Sequence, residues 1–425
     1  MTETTSHASP APAVITTRVL IVGGGLAGMT MAAALGRHQV DTLVVDRLGR
    51  PALVDAGYDG RTTAISLSSR RVLEATDLWP EVADQGEPIL DIRIADDATG
   101  DRPGLSVLHF DHREVGREPF GHIVDNRALR IAQFDVVDRL ATVQHLSGVT
   151  VVGLSADTTG VDVVLADGRT IRAELVIGAD GRGSLVRQQA GITARRWRYD
   201  QTALVCVMGH AIPHQGVALE HFLPAGPFAV LPMTDGVDGM HRSSVVWTER
   251  PAAAEAFLNG PVTDFEAGLA HRVNGYLGDV HLEGRRFAYP LGVLHADRYI
   301  AARIALVGEA AHAIHPIAGQ GLNLSLRDVA ALTELVVDRA RLGLDLGDPA
   351  LLTRYERWRR PDTVAMLLAT DGLNRLFATA APPIKLLRNA GLGAVGRLRP
   401  AKQFFMKTAM GGLGQLPRMV RGEAV

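Results

Sequence analysis

The stretch VLIVGGGLAG at residues 19–28 decides the fold of this chain. It begins as a short apolar run typical of a buried parallel strand. It then turns through Gly23, Gly25 and Gly28 into a segment rich in alanine. In a dinucleotide-binding turn the first glycine permits the tight bend, the second lets the backbone approach a pyrophosphate, and the third lets helix and strand pack closely. The helix N-terminus then stabilises the phosphate charge.

A second apolar strand, residues 42–45, ends at Asp46, which lies 18 residues beyond Gly28. An acid at this distance is suited to accept hydrogen bonds from a ribose. Strand, glycine turn, helix, strand and acid together predict a nucleotide site, and they leave NAD and FAD both open. The predicted contacts of this unit are Gly23, Gly25, Leu26, Ala27, Gly28, Asp46 and Arg47.

The composition is that of an ordinary globular protein, with 425 residues of which 47% are hydrophobic and 21% charged. This length predicts two domains, and the net charge of −2 gives no reason to expect nucleic acid as a partner. The single cysteine, Cys206, excludes an intramolecular disulfide and fits a reducing compartment. Because it lies between valines, we expect a small buried hydrophobe rather than a reactive thiol.

The middle of the chain predicts an antiparallel meander of three short strands between residues 150 and 177, joined by Thr-Gly and Asp-Gly turns. The meander leads into a second motif, GADGR at residues 178–182, which contains Asp180. Upstream, a predicted helix begins near Asn126 and carries Arg127 and Arg130. These arginines could face a phosphate or lie solvated on the helix surface, and Arg127 is the candidate ligand.

A second sheet is predicted from strands at residues 202–208, 228–231 and 243–247. Between the first two lies the aromatic and proline-rich bend FLPAGPF, residues 222–228. The bend fits the wall of a pocket for an apolar ring, and it fits an ordinary turn with core aromatics equally well. The candidate substrate-binding residues are Phe222, Phe228 and Leu231.

The third motif combines a short strand that ends in Gly308-Glu309 with the sequence HPIAGQGLN, residues 315–323, before a long predicted helix. Pro316 fixes a loop, and Gly319 and Gly321 leave backbone N–H groups uncovered at the helix start. Such an N-terminus stabilises negative charge that develops on an electron-rich ring, as in a reduced flavin. His312 and His315 lack further ligands at metal-binding spacing, so we expect no metal.

The two ends of the chain differ in character. Residues 1–17 are rich in Ser, Thr, Ala and Pro and predict a disordered leader, and no segment is long and apolar enough to span a bilayer. From Gly372 onward there are nine Lys or Arg residues and one acid, Glu423, among bulky apolar residues. This region suits either an interfacial segment on anionic lipid or a helical appendage packed on the core.

With these motifs in view, the chain resembles class A flavoprotein aromatic hydroxylases of the para-hydroxybenzoate hydroxylase fold. More narrowly, it resembles the ubiquinone-biosynthesis hydroxylase family through DGRTTAIS at residues 59–66 and HPIAGQGLNLSLRD at residues 315–328. The resemblance implies that FAD is held by the first motif, by Arg61 and Asp180, and by Glu309, Pro316, Gly319, Gly321, Leu322 and Asn323. The wider class has Asp where this chain has Glu309, whose side chain is one methylene longer at the position of the ribityl contact.

The resemblance also implies a reaction. NADPH or NADH would reduce the FAD, dioxygen would add as a C4a-hydroperoxide, and its terminal oxygen would pass to the ring of a prenylated phenol in ubiquinone biosynthesis. FAD carries this chemistry, and the protein positions the ring and excludes water. His221 and Tyr289 could assist phenol deprotonation, with a purely structural role as the alternative. No catalytic side chain is assigned.

The prenylated substrate favours the interfacial interpretation of the C-terminal region. The resemblance also implies a cytoplasmic protein that is peripherally associated with the inner membrane, and it suggests a ubiquinone-biosynthesis complex as a partner. Two other functions stay open: a hydroxylase of the same fold for a soluble phenolic or polyketide, and a non-catalytic flavoprotein subunit. A reductase that saturates a prenyl chain fits the third motif less well.

The predicted fold class is α/β: a doubly wound FAD-binding domain of the glutathione-reductase-like Rossmann type, with an inserted β-sheet substrate domain and a C-terminal helical tail. The predicted boundaries are 1–17 for the leader; 18–75, 105–187 and 290–371 for the FAD-binding domain; 76–104 and 188–289 for the substrate domain; and 372–425 for the tail.

Overall fold

The structure is a computed structural model, and it describes residues 14–55, 57, 59–96, 108–378, 395, 397–411 and 414–425. In chain order the strands are β1 Val14–Val22, β2 Thr42–Asp46, β3 Thr62–Ser66, β4 Glu87–Ile89, β5 Asp91–Asp96, β6 Leu108–Asp111, β7 Gly121–Asp125, β8 Val143–Ser147, β9 Val151–Ala156, β10 Val161–Leu165, β11 Thr170–Gly178, β12 Ala194–His210, β13 Val217–Leu223, β14 Gly226–Met233, β15 His241–Glu249, β16 Val280–Ala296, β17 Ile300–Ala301, β18 Ile304–Leu306 and β19 His312–Ala313.

The helices are α1 Leu26–Arg37, α2 Arg50–Leu53, α3 Leu67–Ala75, α4 Asn126–Val137, α5 Leu185–Gln189, α6 Pro251–Asn259, α7 Val262–Val273, α8 Gln320–Arg341, α9 Pro349–Ala378, α10 Arg399–Ala409 and α11 Arg418–Arg421. Short 3-10 turns lie at Ala83–Gln85, His112–Glu114, Gly308–Ala310 and Ile317–Gly319. Within the described ranges, no helix is both long enough and apolar enough to cross a membrane.

The first sheet carries the nucleotide-binding unit. Its order is β17-β18-β11-β1-β2-β8, and β1 lies between β11 and β2 with both pairings parallel. Helix α1 packs between α4 and α8 over this sheet. The predicted meander is confirmed, since β9 and β10 pair antiparallel with each other and with β11.

The predicted leader is wrong at its end. Residues 14–17 extend β1 and pair in register with residues 170–173 of β11. Their sequence, Val-Ile-Thr-Thr, is entirely β-branched and therefore suits a strand. Residues 1–13 lie outside the described part of the chain.

The second sheet is antiparallel apart from one pair of strands and has the order β19-β16-β12-β15-β14-β13-β5-β6. The three predicted strands lie within β12, β14 and β15. Helices α6 and α7 cover one face, where Trp247, Phe228 and Phe265 form a separate core. Cys206 is buried in this core, which confirms its prediction, and burial raises the pKa of its thiol to about 12.

Two predicted domain boundaries fall at other places in the structure. Leu108–Asp111 was assigned to the FAD-binding domain, and it pairs with Asp91–Asp96 in the second sheet. The boundary at 289/290 falls inside β16, which pairs with β12 on both sides of that position. A long continuous strand connects the two parts of the fold, and it continues through Pro290 and Gly292 at the predicted boundary.

The C-terminal region is only partly an appendage. Helix α9 runs through the predicted boundary at residue 372, and the last residues return to the first core, where Met419 and Val420 are buried and α11 contacts α3 and α8. Residues 379–394, with Lys385 among them, lie outside the described part of the chain. Among the described residues of the tail, the interfacial interpretation therefore applies to α10.

Candidate cofactor and substrate site

A single cavity of about 1960 Å³ connects the three sequence motifs with the open face of the second sheet. Pockets for one small ligand typically measure about 300–1,000 Å³, so this cavity has room for more than one ligand. Its walls include nearly all of the predicted cofactor contacts: Gly23, Gly25, Leu26, Ala27, Asp46, Arg47, Arg61, Asp180, Glu309, Pro316, Gly319, Gly321, Leu322 and Asn323.

The first motif forms one end of the cavity. Helix α1 begins after Gly25 with no side-chain cap, and a Cβ added to Gly25 would meet no atom within 4 Å, so the backbone there faces open space. Gly28 lies behind the turn, where an added Cβ would be 1.9 Å from the carbonyl oxygen of Gly23. Gly28 thus supports the turn, while the uncapped N–H groups of the helix face the cavity and suit a phosphate.

The acid of the first motif is held firmly at the end of β2. Asp46 Oδ2 accepts a hydrogen bond from the N–H of Gly24 at 2.6 Å, and Oδ1 accepts one from the N–H of Leu48 at 2.6 Å. Each carboxylate oxygen has a further lone pair. The position and the remaining acceptor capacity fit the ribose of a dinucleotide.

The second motif supplies a carboxylate oxygen without a partner. Asp180 Oδ2 accepts hydrogen bonds from the N–H groups of Leu185 at 2.7 Å and Val186 at 3.1 Å, at the start of α5. Its Oδ1 is buried and has no hydrogen-bond partner among the described residues. Because buried polar atoms are normally satisfied, this oxygen at the cavity wall fits a hydroxyl donor on a bound dinucleotide.

An ion pair joins the second and third motifs at the cavity wall. Arg182 Nε donates to Glu309 Oε1 at 3.0 Å, and each side chain is about half exposed, 47% and 46%. The extra methylene of Glu309 carries its carboxylate to this arginine. The Glu309 side chain, which was expected to contact the ribityl chain, is therefore paired with Arg182, another residue of the cavity wall.

The third motif opens a second helix toward the cavity. Gly319 has φ 62° and no side chain to cap α8, and a Cβ added to Gly321 would meet nothing within 4 Å. Asn323 is buried: its Nδ2 donates to the carbonyl of Ala64 at 2.8 Å, and its Oδ1 accepts from the N–H of Ser66 at 3.0 Å. The Asn323 amide thus joins α8 to β3 and positions the wall where the isoalloxazine was predicted.

A buried charge network behind this wall was missed. Asp328 accepts from the N–H of Gly308 at 3.1 Å, lies 2.6 Å from Nε2 of His312, and accepts from Nε of Arg359 at 2.9 Å. Burial alone would raise the pKa of Asp328, but His312 and Arg359 lower it. Within the described residues, no group of three or more His, Cys, Asp or Glu side chains could hold a metal. The final Arg-Asp of the third motif was the available signal.

A second ion cluster surrounds Asp59. Its carboxylate is paired with Arg61 at 2.8 Å and with Arg130 at 2.8 Å, and Tyr289 Oη donates to it at 3.4 Å. Burial alone would raise the pKa of Asp59, but its bonds to Arg61 and Arg130 hold it below its usual value. Arg130, which is buried, lines the cavity. Arg127, the candidate of the sequence, lies outside the lining and donates to the carbonyl of Val54 at 2.7 Å.

The open face of the second sheet forms the apolar end of the cavity. Phe222 and Leu231, two of the three candidates for substrate contacts, lie in its wall. Phe228 is absent from the wall, because it is fully buried on the opposite face of the sheet against Trp247. The prediction for Phe228 is therefore wrong: successive residues of a strand face opposite sides, and it lies at the other parity from Phe222 in the register.

Strand alternation also separates the residues around His221. Glu220 and Phe222 line the cavity, whereas His221 does not. Burial raises the pKa of Glu220 to about 7. Tyr289 lines the cavity, but its hydroxyl is committed to the Asp59 cluster. Glu220 was not among the predicted site residues; the available signal was a single acid in a strand that is apolar apart from His221.

The far end of the cavity reaches α9 and α10. Its lining there includes Leu373, Leu376, Phe404 and Phe405. Both phenylalanines are largely exposed, at 53% and 47%. An apolar passage thus leads from the end of the cavity lined by the three motifs to a surface with exposed apolar side chains.

Comparisons with known proteins agree with this geometry. A family model described as FAD binding domain matches residues 16–370. The chain is 47% identical over 407 residues to ubiquinone hydroxylase UbiL of Rhodospirillum rubrum, covering 95% of this chain and 92% of that protein. It is 32% identical over 397 residues to 3-demethoxyubiquinol 3-hydroxylase of Escherichia coli, covering 93% and 98%.

Solved structures share the fold. PqsL of Pseudomonas aeruginosa matches with a TM-score of 0.72 at 25% identity, covering 89% of this chain and 100% of that chain. The p-nitrophenol 4-monooxygenase PnpA of Pseudomonas putida matches with a TM-score of 0.76 at 18% identity, covering 94% and 99%, which shows the fold alone. The chain therefore belongs to the FAD-binding domain family and, within it, to the FAD-dependent hydroxylases of ubiquinone biosynthesis, and it is a flavoprotein monooxygenase.

Proposed function

We propose that this protein uses NADPH or NADH and dioxygen to hydroxylate the aromatic ring of a prenylated phenol on the route to ubiquinone. The observation that carries the proposal is one continuous cavity, which joins the dinucleotide turn to an apolar chamber and ends beside exposed phenylalanines. A water-soluble phenol needs no such exit, whereas a prenyl chain has to lie in an apolar passage.

The cofactor site is part of the proposal. The uncapped start of α1 would hold the pyrophosphate, Asp46 the ribose, Asp180 a hydroxyl group, and the start of α8 the ring. When bound, FAD would accept reducing equivalents from NAD(P)H and activate dioxygen by the route expected from the sequence. The chain's own contribution would be to position both rings and to exclude water from them.

Membrane association is also proposed, with a narrower location than the whole tail. Helix α10 carries Phe404 and Phe405 on its exposed surface and includes Arg399, Lys402 and Lys407. Such a mixture suits the surface of an anionic bilayer. Lys402 is already paired with Glu114 at 2.6 Å, so the other cations are the ones offered to lipid. This supports a cytoplasmic protein at the inner membrane that takes substrate from the bilayer.

Anaerobic reduction followed by product analysis tests the function. The FAD-loaded protein is mixed with NADPH or NADH and a short-chain prenylated phenol, and oxygen is then admitted. We expect the phenol to speed flavin bleaching and to gain one oxygen atom, detected by mass spectrometry. Stimulation by soluble hydroxybenzoates but not by prenylated phenols would favour a soluble substrate. Absence of flavin reduction with any phenol would favour a non-catalytic subunit.

A further inference from the structure

Glu220 occupies an unusual place in the cavity wall. The register of the second sheet aligns it with Ile94 of β5 and Ala229 of β14, and continues through Val246 of β15 to Val205 of β12. All five residues line the cavity, and the other four are apolar. A lone carboxyl group therefore lies within a row of hydrocarbon side chains that faces the substrate chamber.

No group among the described residues compensates this carboxyl group. Within the described part of the chain, Glu220 makes no hydrogen bond or ion pair, and burial is the cause that shifts its pKa. An ionisable group in an apolar site without a partner destabilises the fold. Perturbed carboxyl groups of this kind cluster at functional sites, so a role toward a ligand explains its presence better than a structural role.

The neighbours of Glu220 in the sheet connect it to the loop of the third motif. Phe222, two residues along the same face, packs with Ile317 of the Pro316–Gly319 loop and stacks on Phe377 of α9 at 3.7 Å between ring centroids. Ile94, the register neighbour of Glu220, packs against the same cluster. The carboxyl group thus belongs to the part of the chamber next to the loop that would hold the flavin ring.

We propose that Glu220 is the general base that takes the phenolic proton of the substrate during ring hydroxylation. This inference rests on the proposed function, since it requires a phenol in the chamber. His221 is on the non-lining side of the strand, and the Tyr289 hydroxyl is bonded to Asp59, so neither candidate from the sequence competes for this role.

The step balances in protons and electrons. The carboxylate accepts the O–H proton, and the phenolate pushes electron density into the ring. A ring carbon then forms a bond to one atom of activated dioxygen while the bond between the two oxygen atoms breaks. The oxygen atom is transferred with its hydrogen as a hydroxyl group, and the ring gives its C–H proton to the other oxygen, which leaves as water. Glu220 then returns its proton to the phenolate oxygen of the product. NAD(P)H and one proton from solvent supply the two electrons and two protons that bring dioxygen to the peroxide level.

Few other ionisable groups face this site from the packed elements. On β5, Asp96 shares the face of Ile94 and is buried in register with Phe222. On α9, Asp371 is paired with Arg375 at 2.8 Å and accepts from Tyr199. Strand β14 carries no ionisable side chain. Asp362 of α9 lines the same cavity and is paired with Arg327 at 3.2 Å and with Arg359 at 2.8 Å. The variants Asp96→Asn and Asp362→Asn separate a pH profile caused by Glu220 from one caused by these acids.

The test is Glu220→Gln in the FAD-loaded protein, with Glu255→Gln on the exposed surface of α6 as the control. General bases contribute about 10²–10⁴-fold, so we expect hydroxylation to fall by about 100-fold or more while FAD affinity and flavin reduction stay unchanged. NADPH oxidation should continue and release hydrogen peroxide. The rise of the wild-type rate through neutral pH should disappear in the variant, which should recover partly at alkaline pH where phenol ionises in water.

A readout independent of activity is thermal stability. Because burial raises the pKa of Glu220 in the folded state, the group favours folding below its unfolded pKa of 4.5 and disfavours it as pH rises through about 7. The variant should therefore melt at a higher temperature than the wild type above neutral pH. Coupled hydroxylation with an unchanged pH profile in Glu220→Gln would overturn the role of Glu220 alone. A wild type that is reduced but hydroxylates no phenol would overturn the proposed function as well.

Discussion

Asp180 uses its two carboxylate oxygens differently: one accepts from two N–H groups of α5, and the other lies buried at the cavity wall. In Asp180→Asn only one oxygen remains for both tasks. A hydrogen bond to a charged group contributes about 1.5–3 kcal/mol, so we expect FAD to bind about tenfold or more weakly. Quenching of FAD fluorescence measures this affinity. Asp167→Asn, at an exposed turn, is the control, and equal affinities in all three proteins would contradict the proposed contact.

His315 makes the free energy of unfolding depend on pH in the acidic range. It is fully buried, and burial lowers its pKa from 6.5 to about 4. As pH falls below 6.5 the unfolded chain gains a proton that the folded chain does not bind, so the stability present above pH 6.5 is progressively lost. This group should account for about 2 kcal/mol between pH 6.5 and about pH 5. Urea unfolding at both pH values should show a smaller acid loss in His315→Asn. The same loss in both proteins would refute this account.

At the residue scale, the sequence predicted which residue types form the site better than it predicted which face of a strand each side chain occupies. Most of the predicted glycines and acids of the three motifs line the cavity, because short spacings fix them relative to a turn. The parity of β13 and β14 around the bend could not be predicted, because one residue of shift exchanges the two faces of a strand. For that reason Phe228 was assigned to the pocket and Glu220 was not noticed.

Among the secondary-structure elements, the contact between β3 and α8 holds in place the part of the cavity wall that was predicted to contact the flavin ring. Asn323 satisfies an N–H and a carbonyl group of β3, and its substitution by Ala leaves both buried groups unpaired. Each unsatisfied group costs about 1–3 kcal/mol, so we expect Asn323→Ala to lose about 2–5 kcal/mol of unfolding free energy in urea. Asn259→Ala, exposed at the end of α6, should change it by less than about 0.5 kcal/mol. Similar values for the two variants would contradict the role of Asn323.

Elements with a local signal were predictable: the glycine turn into α1, the meander, and the loop before α8. The Asp328 network could not be derived, because Gly308, His312 and Arg359 converge on it from separate places in the chain. The crossing point of β16 was likewise not predictable, because the strand continues through Pro290 and Gly292 and pairs with β12 on both sides of the predicted boundary.

At the scale of the whole molecule, the proposed function has the substrate enter through the exposed end of the cavity. In Phe404→Ser with Phe405→Ser, two largely exposed aromatic side chains are removed from α10. We expect weaker flotation with anionic liposomes and a higher KM for long prenylated phenols, with FAD affinity and kcat for short analogues unchanged. Leu342→Ser, which removes an exposed leucine after α8, is the matched control. A truncation at residue 372 is unsuitable, because Met419 and Val420 belong to the core. Unchanged flotation in the double variant would remove α10 as the membrane contact.

The central claim is that one cavity holds FAD beside a prenylated phenol. The visible absorption spectrum of the FAD-loaded protein, followed during anaerobic addition of NADPH with and without a short-chain prenylated phenol, tests it most directly. We expect the phenol to perturb the yellow flavin absorption band, to accelerate its bleaching, and to gain one oxygen atom once air is admitted. A protein that takes up no FAD, or whose bound flavin ignores every phenol, would contradict it.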